Sequence, residues 1–353
     1  MSEQSLKDRI LSMIRAQGPI SVATYMDICL HDSQQGYYAT RPGLGHDFIT
    51  APEISQIFGE LLGLWAAYEW NQMGAPSRLT LCEVGPGRGT LISDALRAAT
   101  NTPGFSQAID LHLIEPSPAL QQNLRERLAR YTPTFVEDLS ELPTDQPILI
   151  LANEWLDCLP ARQFQRTGET WHERMIGADS EGNLTLGLAS DAADASRFPA
   201  NSKVESFELQ PGLETLSATL SSLFSKTLGR ALLIDYGDAM KAPTDTLRAF
   251  RDGVQMSPFE APGESDLTVD VDFGRLRRLA HGSRLSVAGP APQGGFLMSL
   301  GAETRLNQLT RANPAEANEL YDGLRRLVDP EDMGTRFNVI CISSEGLPEP
   351  AGF

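Results

Sequence analysis

The stretch Leu79-Thr80-Leu81-Cys82-Glu83-Val84-Gly85-Pro86-Gly87-Arg88-Gly89-Thr90-Leu91 decides the fold. Residues 79–84 are mostly apolar with a β-branched end, which predicts a short buried strand. A glycine-rich turn follows, and residues 90–99 then carry apolar side chains at helical spacing. Strand, turn and helix form the first half of a nucleotide-binding α/β unit. We therefore expect a ligand at this turn, facing the free N–H groups of the new helix.

The spacing of the glycines indicates the kind of ligand. Dinucleotide-binding turns read G-x-G-x-x-G and seat a pyrophosphate at the helix N-terminus. Here the glycines read G-x-G-x-G, so that Gly89 comes one residue earlier than the third glycine of the dinucleotide pattern, after Gly85 and Gly87. Glu83 precedes the turn. That acid would repel a pyrophosphate but could hold a cation. The arrangement resembles motif I of the class I S-adenosylmethionine (SAM) methyltransferases, whose cofactor carries a sulfonium and an ammonium group. The alternative is an ordinary tight connection between strand and helix.

Composition and charge limit the possible functions. The chain of 353 residues has a formal charge of −17, which disfavours nucleic acid and anionic membranes as partners. Cys29, Cys82, Cys158 and Cys341 form no C-x-x-C pair, so we expect neither a disulfide framework nor a metal site. No apolar run approaches the roughly 18 residues of a transmembrane helix, so we expect no membrane insertion. The charged, acidic first residues predict neither a signal peptide nor a transit peptide, and hence a cytoplasmic protein.

Alternating apolar strands and amphipathic helices predict an α/β fold with a parallel, doubly wound, Rossmann-like sheet. Two N-terminal helices and a long loop with aromatics, acids and His46 precede this sheet, and such a loop is typical of a lid. A further helix is expected from Ile54 to Trp70. Short alternating segments after Gln163 indicate a β-rich insertion.

The predicted divisions of the chain are an N-terminal helical lid (1–75), the first half of the SAM-binding core (76–160), the β-rich insertion (161–229) and the second half of the core with a helical insertion (230–353).

Acids and amides follow the predicted strands at their carboxyl ends, where α/β sheets bind ligands. Glu115 ends the second strand, and a carboxylate there can accept hydrogen bonds from both ribose hydroxyls. Asp138 follows the third strand, where an acid can accept from an adenine amino group. Asn153 and Glu154 end the fourth strand, and Asp157 follows one helical turn later. Each acid alone could cap a helix instead, but capping poorly explains three consecutive strand ends of the same kind.

Longer blocks of the sequence resemble the MidA family. They occupy residues 45–60, 83–91, 153–160, 235–237, 245–250, 262–268 and 271–273. This family comprises class I SAM-dependent methyltransferases, and its mitochondrial member is a protein-arginine methyltransferase and assembly factor acting on a core subunit of respiratory complex I. The family often has a histidine near position 255 and a polar residue before Val-Asp-Phe. Here Gln255 and Asp270 stand at those places, so the resemblance leaves the substrate open.

The resemblance implies SAM as cofactor and S-adenosylhomocysteine as product. Together with the strand ends, it predicts a cofactor site formed by Phe48, Thr50, Glu83, Gly85, Pro86, Gly87, Gly89, Glu115, Pro116, Ser117, Asp138, Leu139 and Asn153.

The candidate catalytic residues are Glu154, Asp157 and Asn153. Methyl transfer is an in-line displacement at carbon, so the enzyme mainly positions donor and acceptor. A guanidinium stays protonated and is a poor nucleophile, but paired carboxylates could orient it and accept its proton. We therefore predict a SAM-dependent methyltransferase that acts on an arginine of a protein substrate.

Two alternatives remain open at this point. One is a non-catalytic assembly factor that binds SAM and a partner protein. The other is a nicotinamide dehydrogenase, which the glycine spacing and Glu83 oppose. The sequence leaves the oligomeric state open.

Overall fold

The computed structural model describes residues 4–40, 49–195, 198, 204–239 and 241–353, so Phe48 and His46 lie outside the described residues. The strands are β1 (Ile20–Ser21), β2 (Leu79–Val84), β3 (Ile109–Ile114), β4 (Thr134–Phe135), β5 (Ile148–Asn153), β6 (Arg162–Thr167), β7 (Thr170–Ala178), β8 (Leu184–Ala192), β9 (Ser206–Leu209), β10 (Gly229–Tyr236), β11 (Arg248–Arg251), β12 (Val254–Met256), β13 (Asp266–Thr268), β14 (Ser286–Pro292) and β15 (Phe337–Ser343). The α-helices are α1 (Leu6–Gln17), α2 (Val22–His31), α3 (Tyr37–Thr40), α4 (Ala51–Ile54), α5 (Gln56–Gln72), α6 (Thr90–Ala99), α7 (Phe105–Ala108), α8 (Pro118–Arg127), α9 (Gly212–Phe224), α10 (Phe273–Gly282), α11 (Gln293–Ser299), α12 (Ala302–Ala312), α13 (Ala317–Val328) and α14 (Met333–Arg336). Short 3-10 helices occupy Ala129–Tyr131, Leu139–Glu141, Leu156–Cys158 and Pro314–Glu316.

A seven-stranded sheet forms the centre of the fold, in the order β14-β15-β10-β5-β2-β3-β4. β15 runs antiparallel to both of its neighbours, and the other strands are parallel to one another. β2 and β5 are almost entirely buried because helices cover both faces of the sheet. The chain leaves β2 toward β3 and leaves β5 toward β10, so a crevice opens between the carboxyl ends of β2 and β5. The predicted Rossmann-like α/β fold is confirmed, although the antiparallel β15 makes the sheet mixed rather than entirely parallel as expected.

Two apolar layers hold the helices onto this sheet. On one face, α5 and α6 pack with α11 and α13 around side chains such as Trp65 and Leu324. On the other face, α9 and α10 pack through Leu216 and Leu276. Because α9 belongs to the central layers, the β-rich part of segment 161–229 ends with β9. In the described part of the chain, no helix has the length and apolarity needed to cross a bilayer.

The N-terminal helices and the insertion share a third core. β6 to β9 form an antiparallel sheet together with β1, in which Ile20 pairs with Ile176. Leu30 of α2, Ile176 of β7 and Leu267 of β13 belong to one buried cluster, which also contains Cys158 shortly after β5. The lid helices and the insertion therefore stand together at the carboxyl end of the central sheet.

The helix expected from Ile54 begins two residues later. Ser55 has an extended backbone (φ −156°, ψ 130°) that separates α4 from α5, and its hydroxyl accepts a hydrogen bond from the Ile57 N–H at 3.3 Å. Gly323 of α13 packs closely at this break, since a Cβ on Gly323 would lie 2.9 Å from the Ile54 carbonyl oxygen. The sequence pattern shows the apolar face of the helix but not this neighbour.

Gly63 sets the close approach of α5 to α6, because a Cβ there would lie 2.1 Å from the Ala95 carbonyl oxygen. We expect Gly63→Ala to lower the free energy of unfolding by about 1–3 kcal/mol through overpacking. Gly295 of α11 is the control, since nothing lies within 4 Å of a Cβ added there. Gly295→Ala should leave stability unchanged or raise it by up to about 1 kcal/mol. Chemical denaturation measures the free energy of unfolding of both variants, and equal values for the two would contradict the packing argument.

Candidate active site

A cavity of about 1060 Å³ lies at the carboxyl ends of the central strands. His31 and Tyr38 of the N-terminal helical region also line it. A recess of about 70 Å³ lies at the glycine turn, and Thr50, Gly85 and Glu154 line both spaces. Ligand pockets usually measure roughly 300–1,000 Å³. The cavity therefore has room for a cofactor and part of an acceptor.

The glycine turn has a backbone conformation that favours glycine. Gly85, Gly87 and Gly89 have φ angles of 67°, 53° and 76°, in the left-handed region that other residues rarely adopt. A Cβ on Gly89 would also lie 2.5 Å from Leu124 Cδ2, so this glycine permits packing against α8. Gly85, Pro86 and Gly87 line the recess instead. The turn thus presents backbone at close range to a ligand.

Glu83 is a buried acid on β2 that lines the recess. Its Oε2 has no hydrogen-bond partner in the described part of the chain. Burial, together with the nearby charge of Glu115, raises the pKa of Glu83 to about 8. An unpaired, buried carboxyl oxygen is unfavourable alone and becomes favourable beside a positive charge. The recess therefore fits an ammonium group and opposes a phosphate.

Glu115 and Asp138 line the cavity beyond β3 and β4. Glu115 Oε1 accepts from the Ser117 N–H at 2.9 Å, and burial raises the pKa of Glu115. Ser117 provides the cap of α8 with its own hydroxyl. Asp138 caps the 3-10 helix Leu139–Glu141, and its hydrogen bonds with Ser140 lower its pKa. Glu115 is thus available to a ligand, whereas Asp138 is both a cap and part of the cavity wall.

Glu154 directly follows β5 and has a left-handed backbone, with φ of 52°. This conformation costs a residue other than glycine on the order of 1–3 kcal/mol. Hydrogen bonds hold it in place, because its N–H donates to the Ile234 carbonyl at 2.8 Å, and Ala51 N and Asn153 Nδ2 donate to Oε1 at 3.0 Å each. Burial raises the pKa of Glu154 to about 7. Glu154 can therefore exchange a proton near neutral pH.

Asp157 lines the cavity one turn further on and is held by hydroxyl groups. Thr268 Oγ1 donates to its Oδ2 at 2.8 Å, and the Tyr236 hydroxyl also hydrogen-bonds to the carboxylate. Burial raises the pKa of Asp157, while these hydrogen bonds oppose the rise. Asp235 fixes the backbone here, since its Oδ2 accepts from the Leu156 and Asp157 N–H groups at 2.7 and 3.1 Å.

The structure brings most of the predicted site residues together. Those on the cavity wall are Thr50, Gly85, Glu115, Pro116, Asp138, Leu139, Glu154 and Asp157. Those on the wall of the recess are Thr50, Glu83, Gly85, Pro86, Gly87, Asn153 and Glu154. Gly89 and Ser117 lie behind these walls and support the turn and α8, and Phe48 lies outside the described residues. The individual role of each residue stays a prediction.

Sequence patterns did not predict several other residues of the cavity, namely His31, Tyr38, Tyr236, Arg248 and Arg336. The sequence held one signal for Tyr236, because residues 235–237 are among the blocks that carry the family resemblance. The His31 and Tyr38 rings lie 5.6 Å apart at the junction of α2 and α3. The two arginines come from β11 and α14, and only the tertiary fold places them beside the cavity.

The class of the protein follows from these features together. A seven-stranded sheet with one antiparallel strand, a glycine turn after β2 and an unpaired acid beside that turn are typical of class I SAM-dependent methyltransferases. A family model described as S-adenosyl-L-methionine-dependent methyltransferase matches residues 61–291. The chain belongs to this family, and its cofactor is SAM.

Relatives and solved structures agree with this assignment. Protein arginine methyltransferase NDUFAF7, mitochondrial, of Danio rerio is 36% identical over 370 residues, covering 96% of this chain and 87% of that protein. The Homo sapiens protein of the same name is 36% identical over 365 residues, covering 94% and 82%. A crystal structure from Burkholderia thailandensis, bound to S-adenosyl-homocysteine, has a TM-score of 0.85 at 22% identity, covering 98% of this chain and 93% of that one. This last likeness shows the fold alone.

The comparisons decide four of the sequence predictions. The resemblance to the MidA family and the SAM cofactor are confirmed, and the dehydrogenase alternative is removed. The cytoplasmic location is contradicted, since these relatives are named as mitochondrial proteins. The prediction drew on charged residues such as Asp8 and Arg9, which belong to α1. Arg9 pairs there with Asp32, so these charges reflect a folded helix and were poor evidence on location.

We expect S-adenosylhomocysteine, which has the same ammonium group as SAM, to release protons from the chain on binding at pH 7. Glu83 is mostly protonated at that pH because its pKa is about 8, whereas a neighbouring ammonium favours the carboxylate. The affinity should therefore rise with pH toward about 8, the pKa of Glu83, and level off above it. Calorimetry in two buffers of different ionisation enthalpy counts the protons. Equal release by the wild type and Glu83→Gln would contradict this role.

Glu115→Ala should weaken SAM binding by about 1.5–3 kcal/mol, the usual contribution of hydrogen bonds to a charged group. Glu126→Ala is the matched control, because Glu126 is exposed on the neighbouring α8, where it accepts a hydrogen bond from Gln122 of the same helix. Calorimetry gives the affinity, and a thermal melt of the same sample gives stability. If Glu115→Ala lowers the melting temperature but keeps the affinity, Glu115 only supports the start of α8.

Proposed function

We propose that this chain transfers the methyl group of SAM to an arginine side chain of a protein, with Glu154 and Asp157 at the reacting guanidinium. The observation that carries the proposal is a pair of half-buried carboxylates that follow β5 and line one cavity beside the glycine turn. The names of the curated relatives, protein arginine methyltransferases, support the same class of substrate.

The chemistry requires a base near the acceptor nitrogen. When bound, SAM supplies a methyl group activated by its sulfonium. A guanidinium nitrogen forms the new N–C bond as the S–C bond breaks, and the surplus proton on that nitrogen must go to the protein. Glu154 can take this proton, because burial places its pKa at about 7. Its Oε1 is already oriented by Ala51 and Asn153, so little reorganisation is needed.

Asp157 has a different role in this proposal. The hydroxyls of Tyr236 and Thr268 stabilise its ionised form, so it can hold the guanidinium by a charge-assisted hydrogen bond while Glu154 accepts the proton. Asn153 acts through Glu154, since its amide donates to Glu154 Oε1 at 3.0 Å. It is therefore a positioning residue.

We expect Glu154→Gln and Asp157→Asn to keep their affinity for S-adenosylhomocysteine and to lose methyl transfer by about 10²–10⁴-fold. Each amide keeps the shape of the side chain and removes its negative charge. Glu126→Gln on α8 and Asp322→Asn on α13 make the same changes at exposed positions and should keep full activity. Mass spectrometry of lysate proteins incubated with isotopically labelled SAM and each variant measures the transfer.

The pH dependence gives an independent check on Glu154. Its carboxylate form increases as the pH rises through about 7, so wild-type turnover should rise over the same range. Label on lysine or on small molecules would reject arginine as the acceptor. Absence of label with the wild type, together with normal SAM binding, would favour the non-catalytic assembly factor instead.

A further inference from the structure

Among the described residues, three arginines line the cavity although the chain as a whole is strongly acidic. They are Arg248 of β11, Arg326 of α13 and Arg336 of α14, in a chain of formal charge −17. We propose that these residues, called the arginine subsite below, bind an acidic side chain of the protein substrate that lies near the target arginine. The inference rests on the proposed function and adds a selectivity for sequence around the target.

The arginine subsite carries more positive charge than its own acid neutralises. Arg336 donates from Nη1 and Nη2 to the two oxygens of Asp270 at 3.0 and 2.8 Å, and Arg248 pairs with the same carboxylate. A single carboxylate is thus paired with two guanidinium groups. Arg326 is exposed and forms no ion pair within the described part of the chain. A structural ion pair would need only one arginine, so the surplus charge points to an anionic ligand.

Tyr236 links this subsite to the proposed catalytic carboxylates. The guanidinium carbons of Arg336 and Arg248 lie 5.1 and 5.7 Å from the centre of its ring, within the range of cation–π contact. The hydroxyl of the same tyrosine hydrogen-bonds to Asp157. Arg336 and Arg248 of the subsite therefore lie about one tyrosine side chain away from the place proposed for the target guanidinium. A peptide residue spans about 3.3–3.6 Å when extended, so the acid belongs to a near sequence neighbour of the target.

The carboxylate of SAM is the other possible source of the same chemistry. Its amino group is expected beside Glu83 in the recess, and none of the three arginines lines that recess. They line the larger cavity, together with Tyr236 and Phe337 from the opposite half of the sheet. This placement favours the substrate as the source of the anion.

The test measures peptide binding without turnover. The probes are two fluorescent peptides with one arginine, flanked on both sides by glutamates in one and by glutamines in the other, added to protein saturated with S-adenosylhomocysteine. The wild type should bind the glutamate peptide about tenfold more tightly, as one charge-assisted contact implies. Arg326→Gln combined with Arg336→Gln should remove this preference, while Arg248 keeps its pair with Asp270. Arg325→Gln should retain it, since Arg325 is exposed on the same helix and does not line the cavity.

The possible outcomes separate this proposal from its alternatives. Equal affinity of the wild type for the two peptides, or no binding of either, overturns the arginine subsite. A loss of S-adenosylhomocysteine affinity in the double variant, with the glutamate preference kept, also overturns it and assigns the arginines to the cofactor. Methylation of the same peptides is followed separately. A glutamate preference without methyl transfer supports the subsite and rejects the proposed reaction.

Discussion

The buried carboxylate of Asp235 holds the active side of this molecule together. It is fully shielded from solvent on β10, and it accepts hydrogen bonds from the N–H groups of Leu156, Asp157 and Tyr236. The first two belong to the segment after β5, so one side chain ties that segment to the neighbouring strand. Buried N–H groups need such partners, and no regular ladder is available where the chain leaves the sheet. The left-handed bend at Glu154 and the position of Asp157 both depend on this connection.

The same arrangement concentrates acids around the glycine turn and the segment after β5. Glu83, Glu115, Glu154, Asp157 and Asp235 all have raised pKa values, and burial is the largest cause for each. Ionising all of them together is unfavourable in the free protein. A cationic cofactor and a cationic acceptor relieve that repulsion, so binding should stabilise the native state by more than its contacts alone suggest. The electrostatics of the cavity thus match the charge of the expected ligands.

The half of the site around the cofactor could be predicted from the sequence because it is built locally. The boundaries of β2 and α6 agree with the apolar pattern, and Ser117 caps α8 as its sequence indicates. Strand, turn and helix follow one another directly, so spacing alone places Glu83 beside the glycines. Where a residue remote in sequence packs against a segment, the local pattern does not predict the structure of that segment. Gly323 packs against the break at Ser55, and Leu124 explains why Gly89 is needed behind the turn rather than at the ligand.

The acceptor half is built from segments that are remote in sequence, and for that reason local patterns could not predict it. His31 comes from α2, Tyr236 from β10, Arg248 from β11 and Arg336 from α14, yet all line one cavity. Tyr236 and Met333 of α14 pack in the core of the central sheet, but α2 and β11 belong to the core that joins the N-terminal helices to the insertion, with Ile20 paired to Ile176. A change in that core can move the acceptor wall without touching the glycine turn. Cofactor binding and substrate choice are therefore separable in part, since the central sheet carries the glycine turn, while the core shared by the lid helices and the insertion supports α2 and β11 of the acceptor wall.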